Sequence, residues 1–282
     1  MNFKLALKNL IIKLFRGMSE TFIGIYVYPL FAQVAMQRVQ VAPGAQGLRF
    51  HVPNSTNRYR SETFLTKEPE TLEWLDRIPR GSVVWDIGAN VGLYTCYAAG
   101  VRGCRVFAFE PSVLNLELLA RNVHVNALCE QVTIVPLPLA DQLCFSTLNM
   151  SSMEWGGAKS TFKEAYGHDG KQMAPVFKVP TIGLSMVDAV ELLKVLQPDY
   201  IKMDVDGIEH LILGAGGYVL RAAKEILVEI NDEFREQADL ARQYLEDAGF
   251  KLTEKRHASE FDDLESSAST TYNQIWVRAA NA

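Results

Sequence analysis

From Val83 to Ile230 one rhythm repeats: short apolar runs rich in Val, Ile and Phe alternate with stretches of helical periodicity. The runs are Val83–Ile87, Arg105–Phe109, Val132–Val135, Tyr200–Met203 and Ile226–Ile230. The helical stretches are Leu93–Gly100, Val113–Asn126, Ser185–Val195 and Glu209–Ala223. A strand that leads into a helix returns parallel to itself, and parallel strands are buried on both faces, so they read as continuous apolar runs. A last helix over Glu233–Ala248 stops at Gly249, and the segments Phe250–Thr253 and Tyr272–Val277 beyond it are spaced for an antiparallel hairpin. The expected fold class is α/β: a mostly parallel, seven-stranded, Rossmann-like sheet with helices on both faces. A chain of 282 residues, 48% of them hydrophobic, can bury such a sheet in one domain.

Two regions break the rhythm. Residues 141–183 carry "NMSSMEWGGAKSTF" and a single strand-like piece, Phe177–Ile182. A long insert of this kind reads as a lid or binding loop, with Trp155, Gly156 and Gly157 shaping a pocket. Residues 1–64 read as an amphipathic helical extension ahead of a domain over 65–282. Phe3, Leu7, Leu10, Ile11, Leu14 and Met18 form one stripe, with Lys8, Asn9, Lys13 and Arg16 roughly opposite. Thr21 to Gln37 is uncharged, but Pro29 interrupts it and it is short for a membrane span. Four readings stand for residues 1–40: packing on the domain, packing in a homo-oligomer, peripheral contact with a membrane, or a true span or secretory signal. The net charge of −5 lacks the basic footprint of a nucleic-acid binder. Cys96, Cys104, Cys129 and Cys144 have no CxxC spacing and lie among apolar residues. They read as reduced thiols of a cytoplasmic protein, at the inner face of the membrane if the extension touches lipid.

The first strand runs into "VVWDIGANVGLYT". Gly88 and Gly92 lack Cβ, so the backbone and the following helix can approach a ligand closely, together with Ala89 and Asn90. The spacing is not G-x-G-x-x-G, which removes the phosphate cradle of a nicotinamide-dependent oxidoreductase. Asp86 would repel a pyrophosphate and suits a cationic ligand; its other reading is a helix cap. Glu110, in "RVFAFEPS", ends the second strand where such folds place an acid for two ribose hydroxyls. Alternatively it caps the helix opened by Pro111. At the third strand's end, in "PLPLAD", Asp141 is placed to accept from an adenine amino group, with Leu139 and Ala140 along the ring. A cationic molecule bearing adenosine points to S-adenosyl-L-methionine.

With these motifs in view, "VVWDIGANVGLYT", "FAFEPSVLNLELLARNVHVNAL", "PDYIKMDVDGIEHLILGA" and "EILVEIN" resemble the FkbM-type methyltransferases, in that order, over about residues 65–255. The resemblance implies a class I methyltransferase sheet and methyl transfer to a hydroxyl. Asp206 stands where the family has Glu in Lys-x-Asp-x-Glu-Gly, and Pro138 replaces an expected alanine. Glu68-Pro69-Glu70-Thr71 resembles the family's entry segment.

The fourth strand, "YIKMDVDG", is the chemical anomaly. A doubly buried strand should be apolar, yet alternation puts Lys202, Asp204 and Asp206 on one side, where charges must pair or bind something. Asp204 or Asp206 is the candidate base for an acceptor hydroxyl, steadied by Lys202; the other reading of Lys202 and Asp204 is a structural ion pair. Glu209 and His210 open the next helix and are candidates for acceptor hydroxyls, while Asp206 and Glu209 also fit a capping box. Asp204, Asp206, Glu229 and Asn231 offer hard oxygen ligands for a Mg2+-type ion as an alternative to the base. The favoured acceptor is a sugar hydroxyl of a surface glycan or glycolipid. A polyketide or other small-molecule acceptor, and a non-catalytic cofactor-binding module, are the alternatives.

Overall fold

The computed structural model describes residues 3–257 and 270–279. The seven expected strands form one sheet, with ends within three residues of those read from the pattern. They are β3 (Val83–Ile87), β4 (Arg105–Phe109), β5 (Val132–Val135), β9 (Tyr200–Met203), β10 (Glu225–Asn231), β11 (Phe250–Arg256) and β12 (Thr271–Arg278). Their order is β11-β12-β10-β9-β3-β4-β5. All neighbours run parallel except β12, which is antiparallel to both β10 and β11. Chain order reverses at β3, between β4 and β9, and in open α/β sheets a crevice forms beyond the strand ends at that point.

Each face of the sheet is apolar, so each must be covered. On one face Val84, Val106, Ala108 and Leu227 pack with α4 (Pro69–Arg77), α5 (Leu93–Gly100) and α6 (Val113–Val125) through Trp74, Leu75, Ala98 and Leu119. On the other, Trp85, Ile87, Phe109, Ile201 and Ile226 meet α7 (Met186–Glu191), α8 (Glu209–Gly214), α9 (Gly217–Ala222) and α10 (Arg235–Asp247). The single helix expected over 209–223 is broken between α8 and α9, where Gly217 takes a φ of +53°.

The insert is a small sheet of its own. β6 (Cys144–Met150) lies between β7 (Ser160–Phe162) and β8 (Phe177–Gly183), antiparallel to both. Within residues 1–64 the chain begins with two helices, α1 (Phe3–Ser19) and α2 (Phe22–Met36). A hairpin of β1 (Val39–Val41) and β2 (Arg49–His51) follows, then α3 (Ser55–Glu62). Phe50 and Phe64 pack into the cluster that covers one face of the sheet.

Candidate active site

The cleft opens at the carboxyl ends of β3, β4, β9 and β10. Gly88 has a φ of +82°, and a Cβ built there would lie 1.8 Å from the Asp204 carbonyl oxygen. The Gly88 and Ala89 amides both donate to the Phe109 carbonyl at 3.0 Å, and the Asp204 amide donates to the Ile87 carbonyl at 3.0 Å. The three strand ends are thereby lashed together around a corner with no side chain. Gly88, Ala89 and Asn90 line the cleft; Gly92 begins α5 behind them and does not.

Glu110 holds two backbone amides and faces the cleft. Its Oε2 accepts from the Asn90 amide at 2.8 Å and its Oε1 from the Ser112 amide at 2.8 Å, while the carboxylate and Pro111 line the cleft. Burial pushes its pKa up to about 7 against these two backbone donors. Leu137, Pro138, Leu139, Leu148, Phe162 and Ile208 make the wall beside it apolar. Ala140 and Asp141 are absent from that wall: the Ala140 amide is bonded to the Leu184 carbonyl, and Asp141 pairs with Lys163 at 2.8 Å. The turn to the insert carries Asp141 away from any adenine in the cleft.

Asp86 and Lys202 are register partners on β3 and β9 and point to the same face. Asp86 stands one layer behind the cleft wall, accepts from the Thr95 hydroxyl at 2.5 Å and lies 3.8 Å from Lys202 Nζ. The sequence expectation of a direct ligand contact at Asp86 becomes a buried pairing role. Lys202 Nζ is 3.4 Å from Asp204 Oδ2 and 5.3 Å from the centre of the Tyr94 ring. Burial alone would lower its pKa, but Asp204, Asp86, Glu68 and Glu229 together raise it, so Lys202 is a fixed cation. Glu229 lines the cleft with its pKa raised well above the carboxylate range, first by burial and then by Asp204 and Glu68.

β9 ends at Met203, so strand alternation does not extend to Asp206, whose φ is +61°. Its carboxylate lines the cleft and accepts from the Lys159 and Ser160 amides at 2.6 and 3.1 Å. That bond is one latch of a lid formed by the insert's Trp155–Ser160 turn. The Trp155 carbonyl accepts from Asn54 and Asn57, the Gly156 carbonyl from Arg60, and the Gly157 carbonyl from Asn90 and Asn115, all at 2.8–3.1 Å. Gly157, Ala158 and Ser160 form the cleft's cover.

Three expected groups lie elsewhere. Glu209 turns inward, accepting from the Val205 and Gly207 amides and from Gln237, so it shapes the β9–α8 turn and does not line the cleft. No capping box with Asp206 forms, because Asp206 is spent on the lid. His210 packs edge-on to Phe234, 5.8 Å between ring centres, on the side away from the cleft. Asn231 is held by Gln237, His168, Thr270 and Glu233 at the end of β10. With Asn231 and Asp206 so engaged, the four oxygen ligands do not converge. Among the described residues no group of three or more His, Cys, Asp or Glu is arranged to hold a metal ion.

The segment before β3 supplies residues that the reading of motifs missed: Arg60, Phe64, Lys67 and Glu68, joined by Tyr94 and Asn115. Glu68 bonds Lys67 at 2.7 Å and the Tyr94 hydroxyl at 2.9 Å. Its pKa is lowered: Lys67 and Lys202 outweigh burial. The resemblance of Glu68–Thr71 to an entry segment was the only sequence signal for it. Around the cleft stand five acids, Glu68, Glu110, Asp204, Asp206 and Glu229, against three cations, Arg60, Lys67 and Lys202.

Glu110 and Glu209, both at about 7, and Asp206 at about 6 are raised above their unfolded values by burial. Their protonated forms favour the fold, so this contribution is complete below about pH 4 and is lost as pH rises through 6–7. Thermal unfolding of the ligand-free protein is expected to show a melting temperature that declines across that window, with a shallower decline in Glu110→Gln. Equal slopes would contradict the assignment.

Residues 86–252, more than half of the chain, match the family model described as Methyltransferase FkbM domain. No curated protein matches the chain. Among solved structures, the precorrin-6y C5,15-methyltransferase of Geobacter metallireducens GS-15 is 19% identical, with a TM-score of 0.42, covering 75% of this chain and 87% of that one. The tRNA methyltransferase TrmK of B. subtilis is 15% identical, with a TM-score of 0.43 and coverages of 76% and 68%.

Proposed function

The chain belongs to the FkbM methyltransferase family, and from that premise we propose that it is an O-methyltransferase acting on a sugar hydroxyl of a surface glycan or glycolipid. As a member it is a methyltransferase that uses S-adenosylmethionine. When bound, this cofactor supplies a methyl group on a positively charged sulfur. The cleft fits it: a corner without Cβ at Gly88, an acid at the end of β4 and an apolar wall beside it.

The observation that carries the oxygen acceptor is the Lys202–Asp204 pair at the cleft floor, 3.4 Å apart. Asp204 accepts the proton of the acceptor hydroxyl, and Lys202, fixed by Asp86 from behind, holds the carboxylate in place. A positioned base of this kind supplies about 10²–10⁴-fold in rate, while alignment supplies most of the remainder. Glu229 and Glu68 offer polar partners to neighbouring hydroxyls, and Phe64 and Tyr94 offer apolar ring faces to a sugar's C–H groups. The lid, latched by Asn90, Asn115 and Asp206, excludes water. Incubation with radiolabelled-methyl cofactor and a panel of glycolipids, free sugars and hydroxylated polyketides tests this. Alkali-stable label on a sugar oxygen is expected; label on nitrogen or carbon would refute it.

Glu110→Gln is expected to weaken S-adenosylhomocysteine binding by about 10–100-fold, with little change in kcat at saturating cofactor. Both carboxylate oxygens face backbone N–H donors, so the amide would turn its own N–H toward one of them. Hydrogen bonds to a charged group are worth roughly 1.5–3 kcal/mol. Calorimetric titration reads the change.

A further inference from the structure

α1 and α2 form a hairpin joined at a close crossing, where the Tyr28 hydroxyl donates to the Phe15 carbonyl and the two rings lie 5.7 Å apart. The rest of the domain scarcely covers it: in α2 only Gly24 and Met36 are buried. Phe22, Ile23, Ile25 and Phe31 are 76, 69, 59 and 67% exposed, and Tyr26, Leu30 and Val34 are exposed as well. At 100° per residue these seven side chains sweep well over half of the helix circumference, not a stripe. On α1, Leu7, Leu10, Ile11, Leu14 and Met18 are exposed too. Soluble chains rarely leave so large a patch of apolar surface in water.

We propose that this hairpin seats the enzyme in the surface of an anionic lipid membrane. A second protein covers one side of a helix, whereas lipid envelops more of it, and the exposure of well over half of the α2 circumference selects lipid over another copy of this chain. Charge agrees: residues 1–40 hold Lys4, Lys8, Lys13, Arg16 and Arg38 against Glu20 alone, and Thr21 to Gln37 carry none. No helix among the described residues is long and apolar enough to cross a membrane, so the hairpin lies in one face of it. Met36, at the end of α2, packs with Val91 of the cleft wall and Leu118, and its carbonyl accepts from His51 Nδ1 at 2.7 Å. The seated hairpin therefore brings the cleft to the lipid surface, where a lipid-borne acceptor would be presented.

The test is flotation of the full chain with vesicles of phosphatidylcholine, with and without phosphatidylglycerol. Binding to the anionic vesicles is expected, much weaker binding to the neutral ones, and release by salt. Lys13→Glu with Arg16→Glu should lower partition by about 30-fold or more, at roughly one kcal/mol per basic residue near such a surface. Phe22→Ser with Phe31→Ser should lower it at least as much. Both variants should keep wild-type affinity for S-adenosylhomocysteine, showing that the domain is folded and separating this result from any failure of the proposed reaction. No flotation with either vesicle would overturn the proposal, as would undiminished flotation of the Phe variant. A dimer in plain buffer that the Phe substitutions dissociate, without vesicle binding, would assign the hairpin to a second copy instead.

Discussion

Asp204→Asn is expected to lower kcat by about 10²–10⁴-fold while S-adenosylhomocysteine binding stays within about threefold of wild type. The separation follows from position. Asp204 lies past the end of β9, its side chain is 30% exposed, and it pairs with Lys202 at 3.4 Å. The asparagine keeps the shape, keeps the backbone bond from the Asp204 amide to the Ile87 carbonyl, and leaves Lys202 with Asp86 as a counter-charge. What it removes is the ability to take a proton. Asp204→Ala should behave alike in turnover, because neither residue is a base. Single-turnover rates with saturating cofactor and acceptor are the measurement, since they isolate the chemical step from product release. Wild-type rates in either variant would end the base assignment and leave Lys202–Asp204 as a structural ion pair.

Gly88→Ala is expected to be the most damaging single methyl group in the chain. A Cβ at Gly88 would sit 1.8 Å from the Asp204 carbonyl oxygen and 3.3 Å from Val205 Cγ1, so the β9 loop must move or the corner must open. Gly81 provides the control: its φ is also +82°, but nothing lies within 4 Å of its Cβ position. Gly81→Ala should therefore cost only the dihedral strain, about 1–2 kcal/mol. Gly88→Ala adds a collision with backbone, for a loss of roughly 4 kcal/mol or more. In a domain of this size that difference lowers the melting temperature by about 5–10 °C more than the control. Because the displaced segment carries Asp204, cofactor binding and turnover should fall together, unlike the Asp204 variants. Equal melting temperatures for the two alanine variants would show that the β9 loop yields freely.

Which parts of the site were legible before the fold was known follows from how far apart in sequence the cooperating residues lie. Gly88, Ala89, Asn90 and Glu110 sit at strand ends whose apolar runs were unmistakable, so strand periodicity alone placed them around one crevice. Lys202 and Asp204 stood out as charges in a strand that had no solvent face. Asp206 was assigned by the same alternation and behaves differently, because β9 stops at Met203 and the residue's φ of +61° swings its carboxylate to the lid. Glu209 and His210 were placed by proximity to that strand. α8 instead turns one inward to the Val205 and Gly207 amides and the other toward Phe234. β6 and β7 went unread because their residues mix polar and apolar side chains without a clean period, and their pairing with β8 supplies the order instead.

Periodicity and a glycine corner are local properties, written into neighbouring residues by the geometry of strand and turn. They alone determined the order of strands and helices, the hairpin at the end of the sheet and the position of the crevice. The tertiary structure alone decided which side chains from remote segments meet there: Arg60, Lys67 and Glu68 from before β3, Asn115 from α6, and a lid held by side chains on four separate elements. It also decided that Asp86 supports Lys202 rather than a ligand, and that Asp141 faces Lys163. Such meetings depend on distances across the folded chain, set by the packing of whole elements, and no short stretch of residues records them.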